Sequence, residues 1–147
     1  MATDALPRLG AASGSLATVA RALGAAALVA MGAIHLQQYF ELYSEIPTIG
    51  TLFVLNFVGA TVVAIGLLIP VERWLGGVVV ALLALAGIGQ AATAFVFLAI
   101  SERTPLFGFK EPGYDPTAIT ASRVTEIAAV VFLAAFLVAR RRRRGGR

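Results

Sequence analysis

The sequence contains no cysteine. Disulfides, thiolate catalysis, zinc–cysteine sites and iron–sulfur clusters are therefore excluded. It contains one histidine, His35, so a haem held by two histidines of this chain is excluded as well. Met31 lies on the same helical face as His35, but two ligands on one helix cannot flank an iron from opposite sides. Charge is also scarce. Asp, Glu, Lys and Arg make up 14% of the residues, where a soluble domain carries about 25%. The zinc-protease pattern HExxH, the nucleophile-elbow pattern GxSxG and the phosphate-binding P-loop are all missing.

What the chain has in excess is apolar residues, 59% of its 147 positions. They fall in four long blocks. A hydrocarbon core about 30 Å thick needs about 20 helical residues to cross it, and each block is long enough. Backbone groups cannot stay unpaired in lipid, so spanning segments must be helices or closed-barrel strands. The blocks run too long and alternate too little for barrel strands. The predicted fold is all-α, an integral membrane four-helix bundle.

The predicted spans cover about residues 21–39, 51–69, 75–100 and 118–139. Residues 1–20 read as a flexible tail, 21–139 as one transmembrane domain and 140–147 as a basic tail. Pro47 and Gly50 mark the first break, and Pro70 ends the second span. The short connection Val71–Trp74 makes spans two and three an antiparallel hairpin. The third linker holds Pro105, Pro112 and Pro116 with Gly108 and Gly113, too many breakers for a helix. Its Phe107, Phe109 and Tyr114 are expected against the membrane interface. A signal peptide is the alternative reading of the first span, but its apolar core runs directly into His35, Gln37 and Gln38.

Four spans put both ends on one side. That side carries Arg8, Arg21, Arg73, Arg140, Arg141, Arg142, Arg143, Arg144 and Arg147; the other carries Arg103 and Lys110, with Arg123 just inside span four. The positive-inside rule predicts a multi-pass cell-membrane protein with both termini cytoplasmic. The arginine run reads first as a topology signal. A second reading is contact with anionic lipid through Arg140 to Arg144. Nothing supports a nucleic-acid partner, because no aromatic interleaving or reading helix accompanies the run.

Polar residues within apolar spans are costly and face protein or a cavity. Here they are His35 in span one, Asn56 in span two, Gln90 in span three, and Arg123 with Glu126 in span four; Tyr39, Glu41, Tyr43 and Glu45 flank them. At about 1.5 Å per residue, His35 and Asn56 lie roughly 6–8 Å below the outer boundary and Gln90 and Glu126 roughly 12 Å. The four levels fall in one half of the bundle. Glu126 should therefore face the interior near His35, Asn56 or Gln90, with Arg123 three residues away as a local partner. On that reading Glu126→Leu leaves partners unpaired and lowers the thermal midpoint. The cluster is either packing glue between helices or an outward-facing polar pocket for a lipid headgroup, a quinone, another small ligand or a proton. A metal site from His35 with Glu41 or Glu45 is a weaker alternative. Gly59, Ala60 and Ala64 in span two, with Gly77, Ala81, Ala84, Gly87 and Ala91 in span three, permit close helix approach.

The stretch from Gly32 through Asn56 resembles a pattern in small four-helix membrane proteins of high-GC Gram-positive bacteria. The matching positions are Gly32, His35, Leu36, Tyr39, Tyr43, Ile46, Pro47, Ile49, Gly50, Leu52, Phe53 and Asn56. Size and span count are also loosely similar to the DoxX-like group. Neither resemblance implies a catalytic residue or a cofactor. The expected function is a membrane protein without an identifiable catalytic activity, acting as an accessory subunit or as a binder of a lipid- or quinone-like molecule. Its expected partners are membrane lipids and a membrane protein or a second copy. The alternatives are a proton-coupled transporter using Glu126 and an enzyme acting on a lipid or quinone.

Overall fold

The computed structural model describes residues 6–145, with side chains from Ser15 onward except that of Arg144. Residues 1–5 of the expected N-terminal tail, and Gly146 and Arg147, lie outside the described residues. The chain forms α1 (Leu6–Gln38), a π turn (Tyr39–Tyr43), α2 (Pro47–Leu68), a short α3 (Glu72–Leu75), α4 (Gly77–Ser101) and α5 (Pro116–Gly145). Helices α1, α2, α4 and α5 are each long and apolar enough to cross a membrane. They pack as a square in which α1 touches α2 and α5, and α4 touches α2 and α5. The α1–α5 pair is the most extensive of these contacts and α2–α4 the least.

The boundaries follow from the breakers. Pro47 occupies the first turn of α2, where its missing N–H costs nothing. Ile69, just before Pro70, is extended at φ −81°, ψ 153° and stops that helix. Asp115 caps α5 by accepting hydrogen bonds from the backbone N–H groups of Thr117 and Ala118, both at 3.0 Å. Two boundaries differ from the hydropathy reading. Helix α1 runs back to Leu6, so residues 6–20 are helical and continuous with the first span. Ala17 and Ala20 are buried in the same core cluster as Phe136 and Ala139, which gives this extension a surface to pack on. At the other end, the arginine run continues α5 as a helix to Gly145.

Buried positions on α1 and α5 recur at intervals of three and four. On α5 they are Ser122, Glu126, Ala129, Leu133, Phe136 and Ala139; on α1 they include Leu28, Met31, His35 and Gln38. This is the spacing of facing stripes in a near-parallel bundle. Glycines let the stripes close. A Cβ at Gly24 would lie 2.5 Å from Leu133 Cδ2, and one at Gly87 would lie 2.8 Å from Leu133 Cδ1. Leu133 is thus clasped between α1 and α4. The outer surface is apolar instead of charged. Leu55, Val62, Val78, Leu82, Val124 and Val131 are each about half exposed or more, where water-soluble monomers rarely expose large apolar patches.

Candidate functional site

A cavity of about 370 Å³ occupies the end of the bundle away from the termini. His35, Asn56, Gln90 and Glu126, from four different helices, all line it. The sequence levels these residues by depth, and the helix stripes turn them toward the same space. Apolar and aromatic side chains such as Phe53, Phe97 and Leu52 form most of the remaining wall.

Each polar group has a definite state. His35 is 9% exposed. Its Nδ1 lies 2.9 Å from the carbonyl oxygen of Met31, which can only accept, so Nδ1 carries the hydrogen. In the neutral ring Nε2 is then an acceptor, and it faces Glu126 Oε1 across 4.0 Å. That gap exceeds a hydrogen bond. Glu126 is 1% exposed, and neither carboxyl oxygen has a hydrogen-bond partner. Asn56 Oδ1 is likewise buried and unpartnered. Gln90 donates from Nε2 to the backbone oxygen of Asn56 at 2.6 Å, and its amide lies where a Cβ at Gly59 would come within 3.0 Å. Small Gly59 therefore admits Gln90. The buried polar atoms left without a partner are the two Glu126 carboxyl oxygens and the Asn56 amide oxygen, beside the His35 imidazole nitrogen.

Arg123 does not join them. The expected Arg123–Glu126 pair is absent, and Arg123 donates to Glu102 at the end of α4. Successive helical residues turn by about 100°, so Ser122 and Glu126 share the interior stripe while Arg123 sits on the flank facing α4. Of the flanking residues, Tyr39 does not line the cavity and Tyr43 does. The π turn inserts one extra residue into the α1 register, so the next buried position after Gln38 is Tyr43 and not Leu42, which is 41% exposed. Gly50 permits this turn, because a Cβ there would lie 2.7 Å from the Tyr43 backbone oxygen. Glu41 and Glu45 are exposed. Glu41 accepts from the Gln37 and Gln38 amides at 2.9 and 3.3 Å. Among the described residues no three His, Asp or Glu side chains converge to hold a metal ion.

The linker between α4 and α5 closes the end of the cavity. Leu106, Phe109 and Glu111 line it. Phe109, expected at the interface, instead turns inward with its ring edge-on to Tyr43 at 5.7 Å. Phe107 and Tyr114 stay outside, 55% and 65% exposed. A tight turn at Phe107 (φ 52°) and Gly108 (φ 81°) reverses the linker, with Leu106 and Phe109 exchanging backbone hydrogen bonds at 2.8 and 3.0 Å. Glu111 fastens it. Its carboxylate accepts from the Tyr43 hydroxyl at 2.5 Å and from the backbone N–H groups of Gly113 and Tyr114 at 2.8 and 3.2 Å. Gln38 Nε2 adds a bond to Asp115 at 3.1 Å. Glu111 escapes a sequence reading because it sits in a breaker-rich loop with no periodicity to give its direction.

The cavity is open sideways. Leu55 of α2 and Gly89 and Thr93 of α4 line it and are also exposed on the outer surface. The opening lies at the α2–α4 seam, the loosest side of the square.

At the opposite end Arg21 clamps the α2–α3 corner. It donates to the carbonyls of Leu67 and Ile69 and to Glu72, 2.9 Å away. The Arg21 hydrogen bond holds the Glu72 carboxyl below its usual range. Arg140 donates to the carbonyl of Gly77.

No protein-family model, curated protein or solved structure matches this chain.

Proposed function

We propose that this chain is an integral membrane protein, with both termini cytoplasmic, that binds a small, largely apolar molecule carrying hydrogen-bond donors. The carrying observation is the buried Glu126 carboxyl, unpartnered at both oxygens and lining a largely apolar cavity. A buried polar group without a partner costs about 1–3 kcal/mol, so a ligand that supplies donors recovers that cost on binding. With the Glu126 carboxyl ionised, its oxygens and Asn56 Oδ1 accept, which favours a hydroquinone or a hydroxylated lipid over a quinone, whose oxygens only accept. The opening between α2 and α4 faces the surrounding lipid, the route by which an apolar ligand would enter. A cavity of 370 Å³ suits the headgroup and part of a chain, not a whole lipid.

The test is binding of a short-chain hydroquinone and of the corresponding quinone to the detergent-purified chain. Hydroquinone should bind at least tenfold tighter, and Glu126→Gln should weaken it about tenfold, the equivalent of about 1.4 kcal/mol. Equal affinity for the two, unaffected by Glu126→Gln, would remove the basis of this reading. Mass spectrometry of molecules retained after gentle extraction from native membranes identifies the natural ligand.

The approach of His35 Nε2 to Glu126 favours a second reading, in which the two share a proton during coupled transport. Glu126→Gln then abolishes pH-driven flux in vesicles while ligand binding persists.

A further inference from the structure

The arginine run at the end of α5 is not uniform once it is helical. Arg140 and Arg143, three residues apart, lie on the face that borders a second groove, of about 600 Å³, at the termini end. Arg141 and Arg142 are exposed and do not line it. All four long helices contribute to the groove. Arg21 and Thr18 come from α1, Leu67 and Leu68 from α2, Val80 from α4 and Phe136 from α5, with Glu72 at the rim. Three guanidinium groups face one carboxylate, and that carboxylate is already committed to Arg21. The groove therefore carries net positive charge over an apolar floor. Its wall includes Ala22 and Leu68, both exposed on the outer surface of the bundle, so it opens sideways as well as endwise.

We propose that this groove holds the headgroup of one anionic phospholipid, with the phosphate at Arg140 and Arg143 and the upper acyl chain along Leu67, Leu68 and Phe136. Guanidinium groups match phosphate oxygens in a planar fork. An apolar wall leading away from a cationic end suits an amphiphile better than a free anion. The site is distinct from the cavity around Glu126 and does not depend on what that cavity binds. It gives the tail a role beyond orientation: Arg140 and Arg143 recognise one lipid, and Arg141 and Arg142 meet the bulk membrane surface.

Two double variants with the same loss of charge separate these roles. Arg140→Gln/Arg143→Gln removes the groove pair, and Arg141→Gln/Arg142→Gln removes the outward pair. A helix is about 10–12 Å across, and charges are screened over about 8 Å at physiological salt, so the outward pair contributes little at the groove. The full chain in neutral detergent is titrated with phosphatidylglycerol, phosphatidylcholine or inorganic phosphate. Bound lipid is counted by native mass spectrometry, and helicity is checked by circular dichroism. The expected result is one phosphatidylglycerol per chain, at least tenfold weaker in the Arg140/Arg143 variant and within threefold of the parent in the Arg141/Arg142 variant. Phosphatidylcholine should not be retained, and millimolar phosphate should not displace the lipid. Should the Arg140/Arg143 variant fail to fold, Arg143→Gln alone, which keeps the Arg140–Gly77 bond, should weaken retention at least threefold. Equal losses in the two double variants, or retention of phosphatidylcholine, overturn the site. Displacement by phosphate overturns the lipid in favour of a free anion.

Discussion

Replacing Glu126 by leucine separates a paired carboxyl from an unpaired one. The sequence argues that leucine should destabilise the bundle by stranding partners. The structure reverses the sign, because Glu126 has no hydrogen-bonding partner to strand. The carboxyl is 1% exposed, and an unsatisfied buried group of this kind costs about 1–3 kcal/mol. Leucine removes that cost, and the atom it lacks merges with a cavity already present. Offsetting this is the attraction of a protonated His35 across 4.0 Å, which leucine also deletes. With the ring neutral, the net gain is the full 1–3 kcal/mol, or roughly 2–12 °C in midpoint at about 2–4 °C per kcal/mol. The assay is thermal unfolding followed by circular dichroism on delipidated protein in detergent. Tryptophan fluorescence is a poor probe, since Trp74 is the only tryptophan and is 75% exposed. Added hydroquinone should raise the parent's midpoint and leave the leucine variant's unchanged, because ligand stabilisation requires binding. A lower midpoint for the ligand-free leucine variant would refute the reasoning. Glu126 would then be paired with a charged His35, and its carboxyl would not be free to accept a ligand's donors.

Gly24→Ala should lower the midpoint by the equivalent of about 1–3 kcal/mol, because its Cβ meets the fully buried Leu133, whereas Gly89→Ala, with nothing within 4 Å, should be neutral or stabilising. Adding Leu133→Ala to Gly24→Ala should cost less than Leu133→Ala alone; additive losses would show that the clasp is not what limits position 24. Cysteines at Ser44 and Thr117, both exposed at the cavity end, should react with an impermeant thiol reagent from outside the cell; labelling only from the cytoplasmic side would invert the orientation. Glu72 has its carboxyl pKa lowered by Arg21, so its contribution to stability is complete above the unfolded value of about 4.3 and is lost only as pH falls through the lower folded value. The midpoint difference between the parent and Glu72→Gln should therefore be flat from pH 8 to about pH 5 and shrink below that; a difference that already fades near pH 6 would contradict the Arg21 clasp.

Some of this was determined by the sequence alone. Runs of apolar residues as long as a bilayer is thick admit one backbone solution, and Pro47, Pro70 and Pro116 mark where each run must break or begin. Depth was also legible, because rise per residue is constant, so His35, Asn56, Gln90 and Glu126 could be assigned to one end before any packing was known. Rotation about the helix axis was not legible. The apolar faces of these helices are nearly as hydrophobic all round as on the buried side, so hydropathy carries little directional signal. Only packing settled that Ser122 and not Arg123 shares the stripe of Glu126, and that Arg123 turns to Glu102. The π turn shifted the register by one residue and buried Tyr43 in place of Leu42, a step that no regular period anticipates. Glu111 reached the site through a loop, where direction depends on tertiary hydrogen bonds to Tyr43 and not on spacing. Helix α1 extended past its hydropathic start because Ala17 and Ala20 found a surface on α5. Length and depth add up along one chain and can be read from it; facing requires two surfaces to meet, and exists only once the helices have packed.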